Sequence, residues 1–386
     1  MKVLKLILKN ALRHKLRTTL TILGISIAVI AFVLLRTVVT AWYAGVEASA
    51  ANRLIVRQAV SFIFPLPYAY RDKIAANPGV ETVSWANWFQ GVYIDKNQFF
   101  ARLAVDAETI FNVYPEFLIT QSELESFKAE RNSCILGQDI AKQYNLKVGD
   151  VMTIEGDIYP GKWDFVIRGI YRPRDKTTDA TQMLFHWAYV DERMRQVQPI
   201  RAGDVGWYIV KIKDPSQSAL ISQQIDALFK NSRAETKTET ERAFQQGFVQ
   251  STSAIITSMN VLSFVIIGII LLVLGNTMIM SARERTREFA VFKTLGFSTY
   301  HLTGLIGGES LLISALGGGL GLFLAFPIIQ GFESFIPKGF FPIFQVEPIT
   351  IFFGVSAALL IGIIAAVFPI QKALRTSIVE GFRFVG

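Results

Sequence analysis

The chain has 386 residues, 51% of them hydrophobic, and a formal net charge of +8. That apolar content exceeds what ordinary soluble domains carry, so much of the chain must face something other than water. The positive charge does not point to nucleic acid, because many Lys and Arg residues cluster at the ends of apolar runs, a membrane-topology pattern; the single cysteine, Cys134, excludes an intramolecular disulfide framework.

Residues 1–19 form a basic lead containing Lys2, Lys5, Lys9, Arg13, Lys15 and Arg17, with Leu4, Ile7, Leu8, Ala11 and Leu12 at helical spacing. An amphipathic helix of this kind lies in the headgroup layer of the inner leaflet. Residues 20–43 are expected to be the first transmembrane helix, with Trp42 and Tyr43 at its far interface. Arg36 falls near the outer end of that span, and an ionisable residue inside a membrane is a candidate functional group. Ala48-Ser49-Ala50 matches a signal-peptidase site. The apolar run is longer than a usual signal core and lies far from that site, so a retained span is the expectation.

Residues 44–250 carry no second span. Strands are expected at 80–94 with a break at Gly91, at 99–105, 133–136, 148–154, 165–171, 183–190 and 206–213. Helices are expected at 137–144 and 219–230, and Gly, Pro and Asp clusters separate the segments. The region reads as an α+β domain, in which about 116–185 forms a β-rich subdomain. Residues 235–251 are polar and read as one helix running straight into the second span at 254–280. Thr238 and Glu241 would form its capping box. The combined stalk, 235–282, would outreach a bilayer of roughly 30 Å hydrocarbon thickness.

A dense charged segment follows at 283–300. Glu284 can reach Arg287, and Arg285 can reach Glu288, at i,i+3 spacing. Phe289, Phe292 and Leu295 give this helix an apolar edge, Lys293 lies near its end, and Gly296 suits a C-cap. The basic residues put it on the cytoplasmic side. Residues 301–330 are the third span, rich in small residues that let helices approach closely in lipid: Gly307, Gly308, Gly317, Gly318, Gly319 and Gly321. They serve either packing within one subunit or a dimer interface. Glu309 is ionisable and either lies inside the membrane or ties down the charged helix at its edge. An outer loop at 331–348, a fourth span at 349–370 and a basic tail at 371–386 complete the chain. The expected fold class is an α-helical membrane protein with four transmembrane helices and a large extracytoplasmic α+β domain between the first and second. Both termini are cytoplasmic.

Several of these segments share a pattern. Asn276, Arg285-Thr286-Arg287-Glu288, Lys293-Thr294-Leu295-Gly296 and Glu309 resemble the signature of the FtsX-like (MacB-type) permeases of ABC transporters. Asn10-Ala11-Leu12-Arg13, the run from Lys15 to Thr21 and Leu23-Gly24-Ile25 are similar to its N-terminal signature. Leu136-Gly137 and Leu146 to Asp150 resemble its periplasmic core, and Phe368-Pro369-Ile370 with Ala373-Leu374-Arg375 resemble its ending. The chain departs from the pattern at Phe289-Ala290, where Ile-Gly is usual, at Ile378 in place of a proline, and at Phe382-Arg383 in place of Leu-Arg.

The resemblance implies a mechanotransmitting ABC transporter subunit in the bacterial inner membrane. It would couple ATP hydrolysis by a separate ATPase to motion of its periplasmic domains, for export or extraction of a substrate from the periplasm or outer leaflet. An alternative is a signalling subunit that activates a cell-wall hydrolase or a sensor kinase without transport. The implied ATPase-coupling residues are Arg283, Glu284, Arg285, Arg287, Glu288, Phe289, Phe292, Lys293 and Gly296. The implied partners are an ABC-type ATPase, a second permease copy or a homologue, the lipid bilayer and, in some members, a periplasmic adaptor; nucleic acid is not among them. ATP and Mg would be bound by the partner ATPase and no cofactor by this chain. No G-x-x-x-x-G-K-[ST] occurs in the sequence, so the chain has no P-loop of its own. His14, His186 and His301 lack metal spacing, and neither G-x-S-x-G nor H-E-x-x-H occurs, so a non-catalytic subunit is expected.

Overall fold

A computed structural model describes residues 7, 8, 11, 13–96, 99–336, 341 and 343–375. The N-terminal basic helix expected at 1–19 therefore falls partly outside the described residues, and the end of the tail with Ile378, Phe382 and Arg383 wholly outside them. In chain order the α-helices are α1 (Lys15–Ala48), α2 (Tyr70–Ala75), α3 (Ile110–Val113), α4 (Gln121–Ala129), α5 (Gln138–Gln143), α6 (Trp187–Val197), α7 (Ser218–Leu228), α8 (Glu241–Ser251), α9 (Ser253–Glu284), α10 (Thr286–Thr294), α11 (Thr299–Phe335) and α12 (Pro348–Arg375). The strands are β1 (Arg53–Gln58), β2 (Leu66–Pro67), β3 (Val80–Trp88), β4 (Gly91–Val92), β5 (Ala101–Val105), β6 (Phe117–Leu118), β7 (Ser133–Gly137), β8 (Val151–Gly156), β9 (Gly161–Pro173), β10 (Gln182–His186), β11 (Asp204–Val205), β12 (Trp207–Ile212) and β13 (Thr236–Thr240). The chain divides into two compact units, one within 1–40, 253–333 and 345–386, the other within 41–252 and 334–344.

The first unit is helical. Helices α1, α9, α11 and α12 have 34, 32, 37 and 28 residues and are each apolar and long enough to cross a membrane. Close backbone approach holds them together. A Cβ at Gly317 would lie 2.8 Å from Cβ of Ile25, and one at Gly321 2.8 Å from the Ser26 carbonyl oxygen, so only glycine lets α11 lie this close to α1. Ser26 Oγ donates to the Gly317 carbonyl at 2.9 Å. A Cβ at Gly318 would lie 2.6 Å from Cβ of Ala358 on α12, and Ser310 Oγ donates to the Gly362 carbonyl at 2.7 Å. These bonds matter in lipid, where no water replaces a lost partner.

The second unit is a mixed sheet of eleven strands, ordered β13-β1-β12-β3-β5-β10-β7-β9-β8-β4, with β6 pairing on β9. The β5–β10 and β7–β9 pairs are parallel and the others antiparallel. Both faces are covered, so strand residues are apolar on both sides: Leu54 and Val56 join one core, Ile55 the other. Helices α2, α5, α6 and α7 bury Ile74, Ile140, Val190 and Ile221 on the first face. Helices α3 and α4 bury Ile110, Val113 and Phe127 on the second, and Phe244 of α8 packs there too. The strands of 116–185 continue this sheet, and the first-face core runs from Leu54 through Trp163 to Phe229, so that region has no separate core.

Two expectations need correction. Residues 187–190 begin α6 rather than end a strand. Residues 236–240 are a strand, not the start of a stalk helix. The Thr236-Lys237-Thr238-Glu239-Thr240 run alternates with period two and has a β-branched residue at every second position, which suits a strand edge. Thr238 accordingly bonds Asp226 instead of capping a helix, and Thr240 caps α8 by accepting from Ala243 N–H. Thr252 then separates α8 from α9.

Candidate coupling segment and its buried ion pair

The chain leaves α9 at Glu284, turns at Arg285 (φ −103°, ψ 11°) and enters the short helix α10. Arg285 is buried and has two carboxylate partners. Its Nη1 lies 2.8 Å from Glu309 Oε2 on α11, and its Nε lies 2.9 Å from Glu288 Oε2 on α10. Its guanidinium also stacks 5.5 Å from the Phe289 ring. Glu309 is as buried as Arg285, with side-chain exposures of 7% and 8%. A pair so desolvated is locked in place, because separating it would leave charge in a low-dielectric site. Glu309 therefore ties the start of α10 to a membrane-spanning helix.

A second anchor sits at the other end. Lys293 Nζ donates to the carbonyl oxygens of Ala373 and Leu374, each at 3.0 Å. Those carbonyls belong to the last described residues of α12, so Lys293 ties the end of α10 to that helix. Helix α10 then ends in a Schellman motif. Gly296 takes φ +82°, its N–H reaches the Lys293 carbonyl at 3.1 Å, and Phe297 N–H reaches the Phe292 carbonyl at 3.0 Å. The Phe292 and Phe297 rings close the motif at 5.2 Å.

Glu288 also accepts from Arg13. Burial alone would raise its pKa, but the Arg13 and Arg285 guanidinium groups outweigh burial and hold it below the usual glutamate value. Glu284 does not pair with Arg287. It takes Arg17 at 2.8 Å and lies 3.6 Å from His14 Nε2, because α9 ends at Glu284 and the turn at Arg285 breaks the i,i+3 geometry.

The residues singled out in the sequence thus fall into two groups. Arg285, Glu288, Phe289 and Lys293 face inward or are held by partners, and Phe292 is half-buried. Arg283, Glu284, Arg287 and Gly296 are exposed. Arg287, Val291 and Leu295 share one outer stripe at i, i+4, i+8, with Leu295 68% exposed; Tyr300, at the start of α11, is 83% exposed. Val291 and Tyr300 were not singled out in the sequence, and Leu295 was expected only as part of an apolar edge and not among the coupling residues. Residues 289, 292 and 295 do not share an edge either, since two steps of three residues turn the helix back by about 120° from a repeat of 3.6.

The glycines divide similarly. A Cβ at Gly308, Gly317, Gly318 or Gly321 would crowd Ile7, Ile25, Ala358 or Ser26 of the same chain, one at Gly307 would lie 3.8 Å from Ile370, and one at Gly319 would meet nothing within 4 Å among the described residues. Arg36 lies 5.5 Å from the Phe353 ring, and its buried Nε has no hydrogen-bond partner among the described residues.

A further charged cluster, unforeseen in the sequence, sits in the second unit. Arg53 Nη1 lies 2.7 Å from Glu116 Oε1, and its Nε lies 2.9 Å from Glu241 Oε2. Its guanidinium stacks on Tyr114 at 4.4 Å. Burial opposes the charge on Arg53, but Glu241 and Glu116 outweigh it and raise the pKa above the ordinary arginine value. Glu241, the first residue of α8, also accepts from Ala50 N–H at 2.9 Å, so the base of α8 is tied to the chain leaving α1.

Residues 18–228 match a MacB-like periplasmic core domain, and residues 260–378 an FtsX-like permease C-terminal domain. The chain is 24% identical over 267 residues to an uncharacterized ABC transporter permease protein of Mycobacterium tuberculosis, an alignment covering 68% of this chain and 30% of that one. It is 28% identical over 238 residues to the macrolide export ATP-binding/permease protein MacB of Campylobacter fetus subsp. fetus, covering 60% of this chain and 35% of that one. The chain thus spans about a third of the length of these two relatives. An uncharacterized ABC transporter permease of Methanocaldococcus jannaschii is 23% identical over 400 residues, covering 97% and 96% of the two chains. Among solved structures, the periplasmic region of MacB from Actinobacillus actinomycetemcomitans aligns with a TM-score of 0.40 at 14% identity, covering 53% of this chain and 95% of that one. With the periplasmic-core match covering more than half of its length and the permease match covering three of its four long apolar helices, the chain belongs to the MacB/FtsX-type family of ABC transporter permeases.

Proposed function

We propose that this permease converts nucleotide-driven motion of a separate ABC-type ATPase into motion of its outer domain, and that it does so for export or extraction of a substrate rather than for conduction through a polar channel. One observation carries the proposal. Helix α10 is fixed at its start by the buried Arg285–Glu309 pair and at its end by Lys293 on the α12 carbonyls, while Arg287, Val291 and Leu295 stay exposed along its opposite side. A rigidly held helix that exposes apolar side chains beside an arginine suits docking better than solvation. The basic residues around it support a cytoplasmic position for this side, with the 44–250 domain outside and the inner membrane as the location. A second permease copy or a homologue completes the assembly, with Gly319 on the free side of α11, and ATP and Mg belong to the ATPase.

The test is co-purification of the full chain from its native membrane with a partner that contains a P-loop. Arg287→Glu combined with Leu295→Asp is expected to lower recovery of that partner about tenfold or more, the loss of one interface anchor being worth about 2 kcal/mol or more. The melting curve of the permease should stay unchanged, because both residues are exposed. Wild-type recovery of the ATPase by this variant refutes docking through α10.

A further inference from the structure

The charges around α10 restrict what kind of surface can cover it. Residues 13–40, 253–330 and 348–375 contain three carboxylates, Glu284, Glu288 and Glu309. Each is taken by an arginine of the same chain. Glu284 pairs with Arg17, Glu288 with Arg13 and Arg285, and Glu309 with Arg285. Lys293 is held by the Ala373 and Leu374 carbonyls. Arg283 and Arg287 are exposed, and neither has an ion-pair partner among the described residues. The segment thus presents two unpaired cations and no unpaired carboxylate.

Arg287 shares its stripe with Val291 and Leu295, which are 38% and 68% exposed. A surface that covers those two side chains covers Arg287 as well and strips water from its guanidinium. A desolvated cation needs a counter-charge or a full set of acceptors. A basic groove would set like charges together, which opposes association. A carboxylate instead meets the guanidinium fork with two parallel hydrogen bonds. We infer that the ATPase surface receiving α10 is an acidic groove with an apolar floor, its carboxylate opposite Arg287 and its apolar side chains against Val291 and Leu295. This rests on docking through α10 and adds the chemistry of the partner. Anionic headgroups are the rival counter-charge. A helix lying on headgroups buries its apolar side at the acyl boundary, whereas Phe289 and Ala290 of α10 are already buried within the chain.

The probe is the P-loop chain that co-purifies with the wild-type permease. It is titrated onto the full chain in nanodiscs of phosphatidylcholine, which has no net charge, at low and at high salt. Affinity should fall as salt rises. Arg287→Gln should weaken binding about tenfold and flatten the salt dependence, Arg287→Glu should weaken it about tenfold again, and Arg287→Lys should keep the salt dependence. Glu284→Gln releases Arg17 and adds positive charge, so it should strengthen binding at low salt. Weaker binding by Glu284→Gln would assign a basic groove and overturn the inference. So would a loss in Arg287→Gln with the salt dependence intact, which would assign neutral acceptors, or charge effects confined to nanodiscs containing phosphatidylglycerol, which would assign headgroups. Leu295→Asp separates the groove's chemistry from docking itself. If Leu295→Asp loses the ATPase while Arg287→Glu binds like wild type, α10 docks but the groove is not acidic. If both bind like wild type, docking through α10 falls and the acidic groove falls with it.

Discussion

Removing one member of the Arg285–Glu309 pair should cost far more than removing both. The two side chains are 8% and 7% exposed, so each charge is desolvated in the fold and solvated when the helices separate. Stranding a buried charge typically costs about 3–5 kcal/mol, while an apolar pair of similar volume is often neutral or better. The two single variants are not equal. Glu309→Met leaves Arg285 with Glu288 at 2.9 Å, so its cost belongs at the low end, about 3 kcal/mol. Arg285→Met takes away the only ion-pair partner of Glu309 among the described residues and leaves it the Ser281 hydrogen bond and the more distant Arg17 charge, so its cost belongs above that of Glu309→Met, at up to about 5 kcal/mol. The double variant should recover most of the larger loss. The assay is a double-mutant cycle on the full chain, unfolded by denaturing detergent in mixed micelles and followed by circular dichroism. The expected coupling has opposite sign to the single losses and a size of about 3 kcal/mol or more, equal to a factor of about 150 in the unfolding constant. Additive losses, or a Glu309→Met variant within about 0.5 kcal/mol of wild type, would refute the assignment of this pair as the anchor of α10.

Three further outcomes are expected. A cysteine at Ser216 should react with a membrane-impermeant thiol reagent in intact cells while one at Ser298 should not, and buried Cys134, whose thiol pKa is pushed up by burial, gives a silent background; the opposite pattern would invert the topology. His186 is buried with Nε2 2.6 Å from the Phe127 carbonyl oxygen, and burial lowers its pKa below the ordinary 6.5. The unfolded chain then binds the extra proton first, so this residue's contribution to stability is complete above pH 6.5 and is lost as pH falls toward the folded value; unfolding curves between pH 7.5 and 5.5 should show it, His186→Gln should flatten it, and an unchanged slope in that variant would exclude His186 as the cause. Gly321→Val should disrupt packing of α11 on α1 and lower the yield of folded protein, whereas Gly319→Leu should leave folding intact and weaken dimer recovery in crosslinking; a Gly319→Leu variant that crosslinks like wild type would remove Gly319 from the interface.

The membrane architecture was legible because long apolar runs leave a spanning helix little alternative, and the four expected spans correspond to α1, α9, α11 and α12. Strand positions in the outer domain were legible where β-branched and aromatic runs are short and bounded by turn residues, as at β3, β7 and β12. Their pairing was not, since β10 lies between β5 and β7 and joins segments about 80 and 50 residues away along the chain. Short helices on the second face were missed where the sequence is mostly polar. Helix α4 has a full capping box at Thr120 and Glu123 but buries little beyond Phe127, so its start signal was stronger than its periodicity.

The charged segment shows why sequence could locate a short charged helix between two spans but not which of its sides faces outward. Arg283, Arg285 and Arg287 look equivalent as a run of alternating arginines, yet only Arg285 is buried, while Arg283 and Arg287 are exposed. The break at Glu284 starts a new helix, and that change of phase turns Arg285 inward to Glu309 and leaves Arg287 outward. The phase of a short helix is set by its anchors, and both anchors here are long-range: Glu309 is 24 residues on, and the carbonyls that hold Lys293 are 80 and 81 residues on. Glu309 stood out as an ionisable residue that could tie down the charged helix, but nothing local named Arg285 as its partner or marked the contacts of Lys293. Once those contacts fix the rotation of α10, the remaining stripe follows from helical geometry alone, and Arg287 leads directly to Val291 and Leu295. Glu288 therefore changes role. With Arg13 and Arg285 as its partners, Glu288→Ala would loosen the anchor itself, so under the proposed docking only outer-stripe substitutions separate a loss of binding from a loss of the helix's integrity.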